Sequence, residues 1–304
     1  MAVVDELFEH RARQAAFDFL NEAQRTFGDV LTTDVLRKGV EIDGRRIPIF
    51  DLYRGIHKPA VLRAALSFVT TPPKPGGPPP YEDQFTPEGW LAYRYRTPDS
   101  NEYENAALRL AHEHRLPCVY FFGITPGHYL PQYPVHVVVD DPIAQRFLVD
   151  LSGMGVGAGE TVVGEDPERR YRNSIVKHRL HQARFREAVL HAYVRTCAFC
   201  RLRRPELVEA AHIVGDARGG PPVVPNGVTL CRLHHAAFDR HLMGIRPDLR
   251  IVVRSDVLSD TDGPMLTHGL QDLNGRELYL PRQPLDRPGA EYLERRYEEF
   301  KAAS

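Results

Sequence analysis

The pattern of apolar and polar positions changes character twice along the chain. Residues 5–26 carry an uneven helical stripe through Leu7, Phe8, Ala15, Phe17 and Leu20, continued at Phe27, which predicts an opening helix used for packing. From Phe27 to about Asp150 the runs become short and apolar or alternating (VLTTDVL, RIPIFDLY, LSFVTT, WLAYRYR, CVYFFGI, VHVVVD), punctuated by Gly, Pro and Asp. That texture predicts strands. NAALRLAHEH at 105–114 has helical spacing among them, so the region is α+β, and a small twisted barrel with flanking helices fits it. The segment TPPKPGGPPP at 71–80, with six prolines, can only be an extended loop. Cys118, in LPCVYFF, is most simply a buried strand residue.

The second change falls at 151–168, LSGMGVGAGETVVGEDPE, where five glycines and little periodicity predict a linker. The expected organisation is therefore a first domain over 1–155, a Gly-rich linker over 156–168 and a second domain over 169–304. Residues 171–193 form the most convincing helix, anchored by Ile175, Leu180, Phe185, Val189, Leu190 and Tyr193. Beyond it a strand at 206–213, a Gly/Pro loop, a short apolar strand at 228–231 and the helix RLHHAAFDRH follow in order. A strand pair around GIRPDLRIVVR, the turn DLNGRE and the helix AEYLERRYEEF close the chain.

Composition narrows the class. Of 304 residues, 42% are hydrophobic and 26% charged, which excludes disordered and collagenous chains. No apolar run approaches the roughly 18 residues of a membrane span, and the N-terminus has no signal-peptide pattern, so a cytoplasmic protein without membrane contact is expected. The net charge of −1 excludes a whole-molecule basic field. Charge is nevertheless segregated: between Arg169 and Arg204 ten Arg and one Lys stand against Glu187 alone. Such a segment is the electrostatic footprint of a polyanion site, with Arg179, Arg184 and Arg186 as expected contacts to its backbone. No P-loop, dinucleotide fingerprint or internal repeat is present.

Four cysteines are too few for a disulfide scaffold, and three of them cluster in the second half. Cys197 and Cys200 form C-x-x-C; Cys231 and His234 form C-x-x-H. Three Cys and one His make a closed tetrahedral set, so a structural Zn2+ clamping a small domain is expected. His234 and His235 could exchange roles, but His234 is the expected zinc ligand because its spacing from Cys231 mirrors the first knuckle. His212 ends the first predicted strand, Asn226 precedes the second, and His235 and Asp239 stand at i and i+4 on one helix face, where a hard or borderline cation can sit.

This order of elements and residues resembles the HNH nuclease family with its ββα-metal motif, the match running through His212 in AAHI, Asn226 in PNG and His235 in CRLHH. The resemblance implies His212 as general base, Asn226 as the residue that fixes the loop and orients His212, and His235 with Asp239 as holders of a catalytic divalent ion, Mg2+ or Mn2+. One position departs: relatives often place a metal-binding Asp or His just before the base, and here it is Ala211. In the first domain, GIHKP at 55–59 and PPYEDQFTPEGWLAYRYR at 79–96 resemble the SRA domain, a PUA-like barrel that flips 5-methylcytosine out of the duplex. That resemblance implies Tyr81 and Tyr93 as stacking faces and Asp83, or Gln84 if the alignment slips by one, as partner of the cytosine edge.

Together the two resemblances imply a type IV, modification-dependent restriction endonuclease acting on double-stranded DNA that carries 5-methylcytosine or a related base. Two strands need two cuts, which a homodimer or a transient pair would supply. Two rivals stay open: a modified-DNA-binding protein with a weak or inactive nuclease centre, and an HNH nuclease without modified-base selectivity.

Overall fold

The computed structural model describes residues 6–51, 53–71, 84–98, 102–154 and 167–303. Tyr81, Asp83, nearly all of the Pro-rich loop and linker residues 155–166 lie outside the described residues. The chain divides into two compact units, Met1–Leu180 and His181–Ser304. Among the described residues no helix is long and apolar enough to cross a membrane.

The first unit opens with helix α1 (Glu6–Phe27). Its buried face is Glu9, Ala12, Arg13, Ala16, Leu20 and Ala23, a helical repeat that mixes three alanines with a leucine and an ion pair. Leu7 and Phe27, counted on the apolar stripe, are instead exposed. Glu9 and Arg13 are buried on that face as an ion pair. Arg13 donates to the Glu9 carboxylate at 2.7 Å and to the carbonyls of Ala65 and Pro117 at 3.0 and 2.7 Å, while Arg63 lies 3.2 Å from the other Glu9 oxygen.

The chain continues through β1 (Leu31–Thr32), the short helix α2 (Thr33–Leu36), β2 (Val40–Ile42), β3 (Arg45–Ile47), β4 (Ile56–His57), β5 (Ser67–Thr70), β6 (Gln84–Phe85), β7 (Leu91–Arg94) and α3 (Tyr103–Glu113). Then come β8 (Cys118–Thr125), β9 (His128–Asp141) and β10 (Arg146–Asp150). VLTTDVL is thus not a single strand. Thr33 binds the Gly127 carbonyl through both N–H and Oγ1, which stops β1, and the following turn drives Leu36 into the core. Asp43 and Gly44 both take positive φ, the requirement of a tight hairpin turn, and join β2 to β3.

The main sheet of this unit is curled, with strand order β4-β5-β8-β9-β10-β7-β6 and β1 added on β9. Strand β9 holds it together: its first half pairs with β8 and its second half with β10. All pairings are antiparallel except β5 with β8. The path runs open from β4 to β6, and no pairing among the described residues joins those edges into a barrel. Cys118 is fully buried at the start of β8.

Helix α4 (Pro167–Ala192) carries the chain from one unit to the other. The second unit continues with β11 (Val208–His212), β12 (Gly227–Cys231), α5 (Arg232–Asp239), β13 (Met243–Ile245), β14 (Ile251–Val253), α6 (Ser255–Ser259), α7 (Pro264–Gly269) and α8 (Ala290–Ala302). Helices α6 and α7 are five and six residues long, too short to leave a periodic signature in the sequence. The core gathers Phe185, Val189, Leu190 and Tyr193 of α4 with Val228 and Leu230 of β12, Phe238 of α5, Ile251 of β14 and Leu293 of α8.

Candidate functional site

The site is built on one strand-strand-helix unit. Strands β11 and β12 are antiparallel with His212 opposite Gly227 and Val208 opposite Cys231, and α5 leaves directly from Cys231. A Cβ on Gly227 would stand 2.3 Å from Val189 Cγ2 and 3.0 Å from Phe185 Cζ, so glycine is what lets α4 lie against the end of the ladder. That close approach brings the buried Phe185 ring onto the His212 imidazole, centroids 3.8 Å apart and planes 11° from parallel. The stack holds the plane of the imidazole against the Phe185 ring.

His212 is half-buried, and its Nε2 is buried with no hydrogen-bond partner. Burial lowers its pKa from the usual imidazole value, with Asp216 opposing that shift and His235 adding to it. A protonated ring would carry a buried N–H with nothing to accept it, so the neutral form is the one this environment holds. Asn226, fully buried, accepts from Val214 N–H at 2.9 Å and donates to the carbonyls of Val214 and Pro221 at 3.0 and 2.9 Å. It therefore braces the backbone just after His212, while the ring contact itself comes from Phe185. A Cβ on Gly220 would collide with the Val214 carbonyl at 1.9 Å, so the loop closes on Asn226 only with glycine there.

His235 and Asp239 project together from α5, Nε2 to Oδ2 3.5 Å, with Asp239 largely exposed. On the other side of the ring, His235 Nδ1 lies 3.0 Å from Glu209 Oε2 of β11, and Arg232 donates to the second oxygen of Glu209 at 3.2 Å. The bond from His235 holds the Glu209 carboxyl below its ordinary range, with burial opposing and Arg232 and Arg186 adding positive potential. Arg186, exposed on α4, thus lies within electrostatic reach of this cluster. Arg184 is partly buried on the same helix; Arg179, in the first unit, is exposed and donates to Gln132 at 2.8 Å. Ala211 is buried in the core and offers no ligand.

Behind this face, Cys197, Cys200, Cys231 and His234 bring all four ligand atoms within 4.8 Å of one another. The His234 Nδ1 stands 3.4 Å from Cys197 Sγ and 3.1 Å from Cys231 Sγ, and its Nε2 lies 2.7 Å from the Gly269 carbonyl at the end of α7. These separations suit the edge of a tetrahedron with metal–sulfur bonds of about 2.3 Å, and the anchored Nε2–H leaves Nδ1 free to ligate. His234, not its neighbour His235, sits among the sulfurs. Cys200 is exposed and the other three are buried.

Of the expected base-reading residues, Gln84 begins β6 and Tyr93 lies in β7. Tyr93 has 9% of its surface exposed; its hydroxyl donates to the carbonyls of Gly55 and Val69 at 3.0 and 3.2 Å, and its ring packs edge-on against Phe68. Sequence reasoning passes over two residues at the second unit's site. Phe185 reads as an ordinary helix anchor, and Glu209 is one of two acids in the predicted strand 206–213, its only signal its place three residues before His212.

Residues 197–246 match the family model of the HNH endonuclease, so the chain carries a domain of that family. No curated protein matches the chain. Among solved structures, the modification-dependent TagI restriction endonuclease aligns over 78% of this chain and 82% of its own, at 16% identity and a TM-score of 0.28. The type IV phosphorothioation-dependent restriction endonuclease ScoMcrA aligns over 83% of this chain and 53% of its own, at 16% identity and a TM-score of 0.24. Superpositions this loose do not establish a common fold.

Proposed function

Given an HNH endonuclease domain over residues 197–246, we propose that the protein is a modification-dependent DNA endonuclease. In this reading the region 169–304 cuts double-stranded DNA, the region 1–155 reads 5-methylcytosine or a related base by flipping it, and 156–168 links them. The observation that carries the nuclease half is the meeting of a neutral, ring-stacked His212 with His235 and Asp239 on one strand-strand-helix unit.

The donor sets fit two kinds of ion. Three thiolates and an imidazole in a closed cluster suit a structural Zn2+. His235 and Asp239, open to solvent and with few protein ligands, suit Mg2+ or Mn2+ that keeps water and phosphate oxygens as its other ligands. Held by His235 and Asp239, such an ion would supply positive charge against the charge that builds on the phosphate. His212 would take the proton from the attacking water as the new P–O bond forms and the bond from phosphorus to the 3′ oxygen breaks; the leaving oxygen takes a proton from solvent, giving a 5′-phosphate and a 3′-hydroxyl. Asn226 holds the loop behind His212, and Arg179, Arg184 and Arg186 take phosphates along the backbone. A homodimer, or two molecules meeting on one site, would cut both strands, and the setting would be restriction of foreign DNA in the cytoplasm.

His212→Ala tests the chemistry. Cutting of supercoiled DNA with Mn2+ falls by about 10²–10⁴-fold, the usual worth of a general base, while DNA binding persists. Undiminished cutting by the variant removes His212 from the mechanism.

A second reading, a nuclease without a modified-base pocket, is favoured by one observation: Tyr93 has its ring packed in the core and its hydroxyl bonded to two carbonyls. To stack on a base it would have to break those bonds. The reader half of the proposal therefore leans on Tyr81 and Asp83, with Tyr93 and Gln84 as the weaker members of the pocket.

A further inference from the structure

We propose that Glu209 is a positioning residue that fixes which nitrogen of His235 faces the catalytic ion; the inference rests on the nuclease reading above. The sequence leaves two adjacent histidines, His234 and His235, able to exchange roles. The fold separates them by what anchors each ring. His234 is tied through Nε2 to the Gly269 carbonyl at 2.7 Å and turns Nδ1 to the sulfurs. His235 is tied the other way round, with Nδ1 3.0 Å from Glu209 Oε2. A carboxylate only accepts, so the proton of the neutral His235 ring resides on Nδ1 and the lone pair on Nε2.

That lone pair stands 3.5 Å from Asp239 Oδ2. Two electron-rich atoms so placed repel each other unless a proton or a cation lies between them, and with the ring neutral a cation makes them a ligand pair. Glu209 itself is not free to join them, because Arg232 binds its other oxygen at 3.2 Å. Both of its contacts go to α5, at residues three apart and hence on one helix face, so the carboxylate pins α5 to β11 at the point where the ligands emerge. The buried Ala211 provides no ligand, which makes the orientation of the two remaining donors more consequential. Metal-ligating histidines in general rely on such a partner on the second nitrogen, and its loss typically weakens metal binding by about 10–100-fold.

The test uses the zinc-loaded full chain without DNA. Side-chain 15N shifts of His235 at pH 8 are expected to show a protonated Nδ1 and an unprotonated Nε2. Glu209→Ala should move the ring toward the Nε2–H tautomer and weaken Mn2+ binding, followed by electron paramagnetic resonance, about tenfold or more, with zinc content unchanged. Glu209→Gln, whose amide oxygen still accepts, should restore the tautomer and most of the Mn2+ affinity. A proton on Nε2 in the wild type overturns the inference, as does a Glu209→Ala ring and Mn2+ affinity equal to wild type. Neither readout needs cutting, so a protein that fails to cleave DNA would sink the nuclease reading while still deciding the role of Glu209.

Discussion

In the first unit the buried Glu9–Arg13 pair is balanced within the protein, whereas in the second a buried Cys3His cluster is of the kind that a cation balances. Glu9 and Arg13 are essentially inaccessible to water, yet each finds its partners in Arg63 and in the carbonyls of Ala65 and Pro117. In the second unit three sulfurs and the His234 ring crowd within 4.8 Å, an arrangement that becomes favourable when the thiols are deprotonated around a metal. The lesson is one of scale. Among the described residues the first unit closes its core over a curled sheet of eight strands and affords an internal ion pair, while the second is built on two-stranded sheets and gathers a Cys3His cluster that could hold a metal.

The largest effect expected from this contrast is on metal removal. Chelation, or Cys231→Ser, should unfold the second unit and leave the first folded, since structural zinc contributes about 10–16 kcal/mol in small zinc domains. Limited proteolysis with mass mapping reads the outcome, and simultaneous loss of both units would contradict it. The complementary change, Glu9→Ala, strands the Arg13 guanidinium. It should cost the first unit about 3–5 kcal/mol in denaturant unfolding and leave the second unchanged, with Glu9→Gln costing less.

A smaller effect concerns pH. Burial lowers the His212 pKa, so the ring stays neutral to lower pH than a free imidazole at about 6.5. The acid limb of cutting should therefore fall below that value, because activity is present above the folded pKa and is lost as pH falls through it. A limb at or above about 6.5 in the pH–rate profile would contradict the assignment.

The second unit's chemistry was legible because it is local. Cys197, Cys200, Cys231 and His234 announce themselves by spacing, and β11, β12 and α5 appear where periodicity puts them. Spacing favoured His234 over His235 for the sulfurs, as the cluster has it; what spacing could not show was the anchoring of each ring, by Gly269 in a short helix and by Glu209 across a ladder. In the first unit the strand-rich texture was legible and the sheet order was not, because β9 divides its pairing between β8 and β10, which the sequence does not encode locally. The buried face of α1 was misread for a similar reason. A stripe containing Glu9 and Arg13 looks solvent-facing until the carbonyls of Ala65 and Pro117, far away in sequence, are brought to it. The hairpin at Asp43-Gly44 carries its signal in two residues and leaves no mark on longer-range periodicity.

The most direct measurement is cleavage of matched plasmids, one unmodified and one with 5-methylcytosine, in Mg2+ or Mn2+ and in chelator. The account predicts cutting of the modified plasmid alone, abolished by chelator. Equal cutting of both would contradict the modified-base reader and leave a nuclease without selectivity; no cutting with either ion would contradict the nuclease itself.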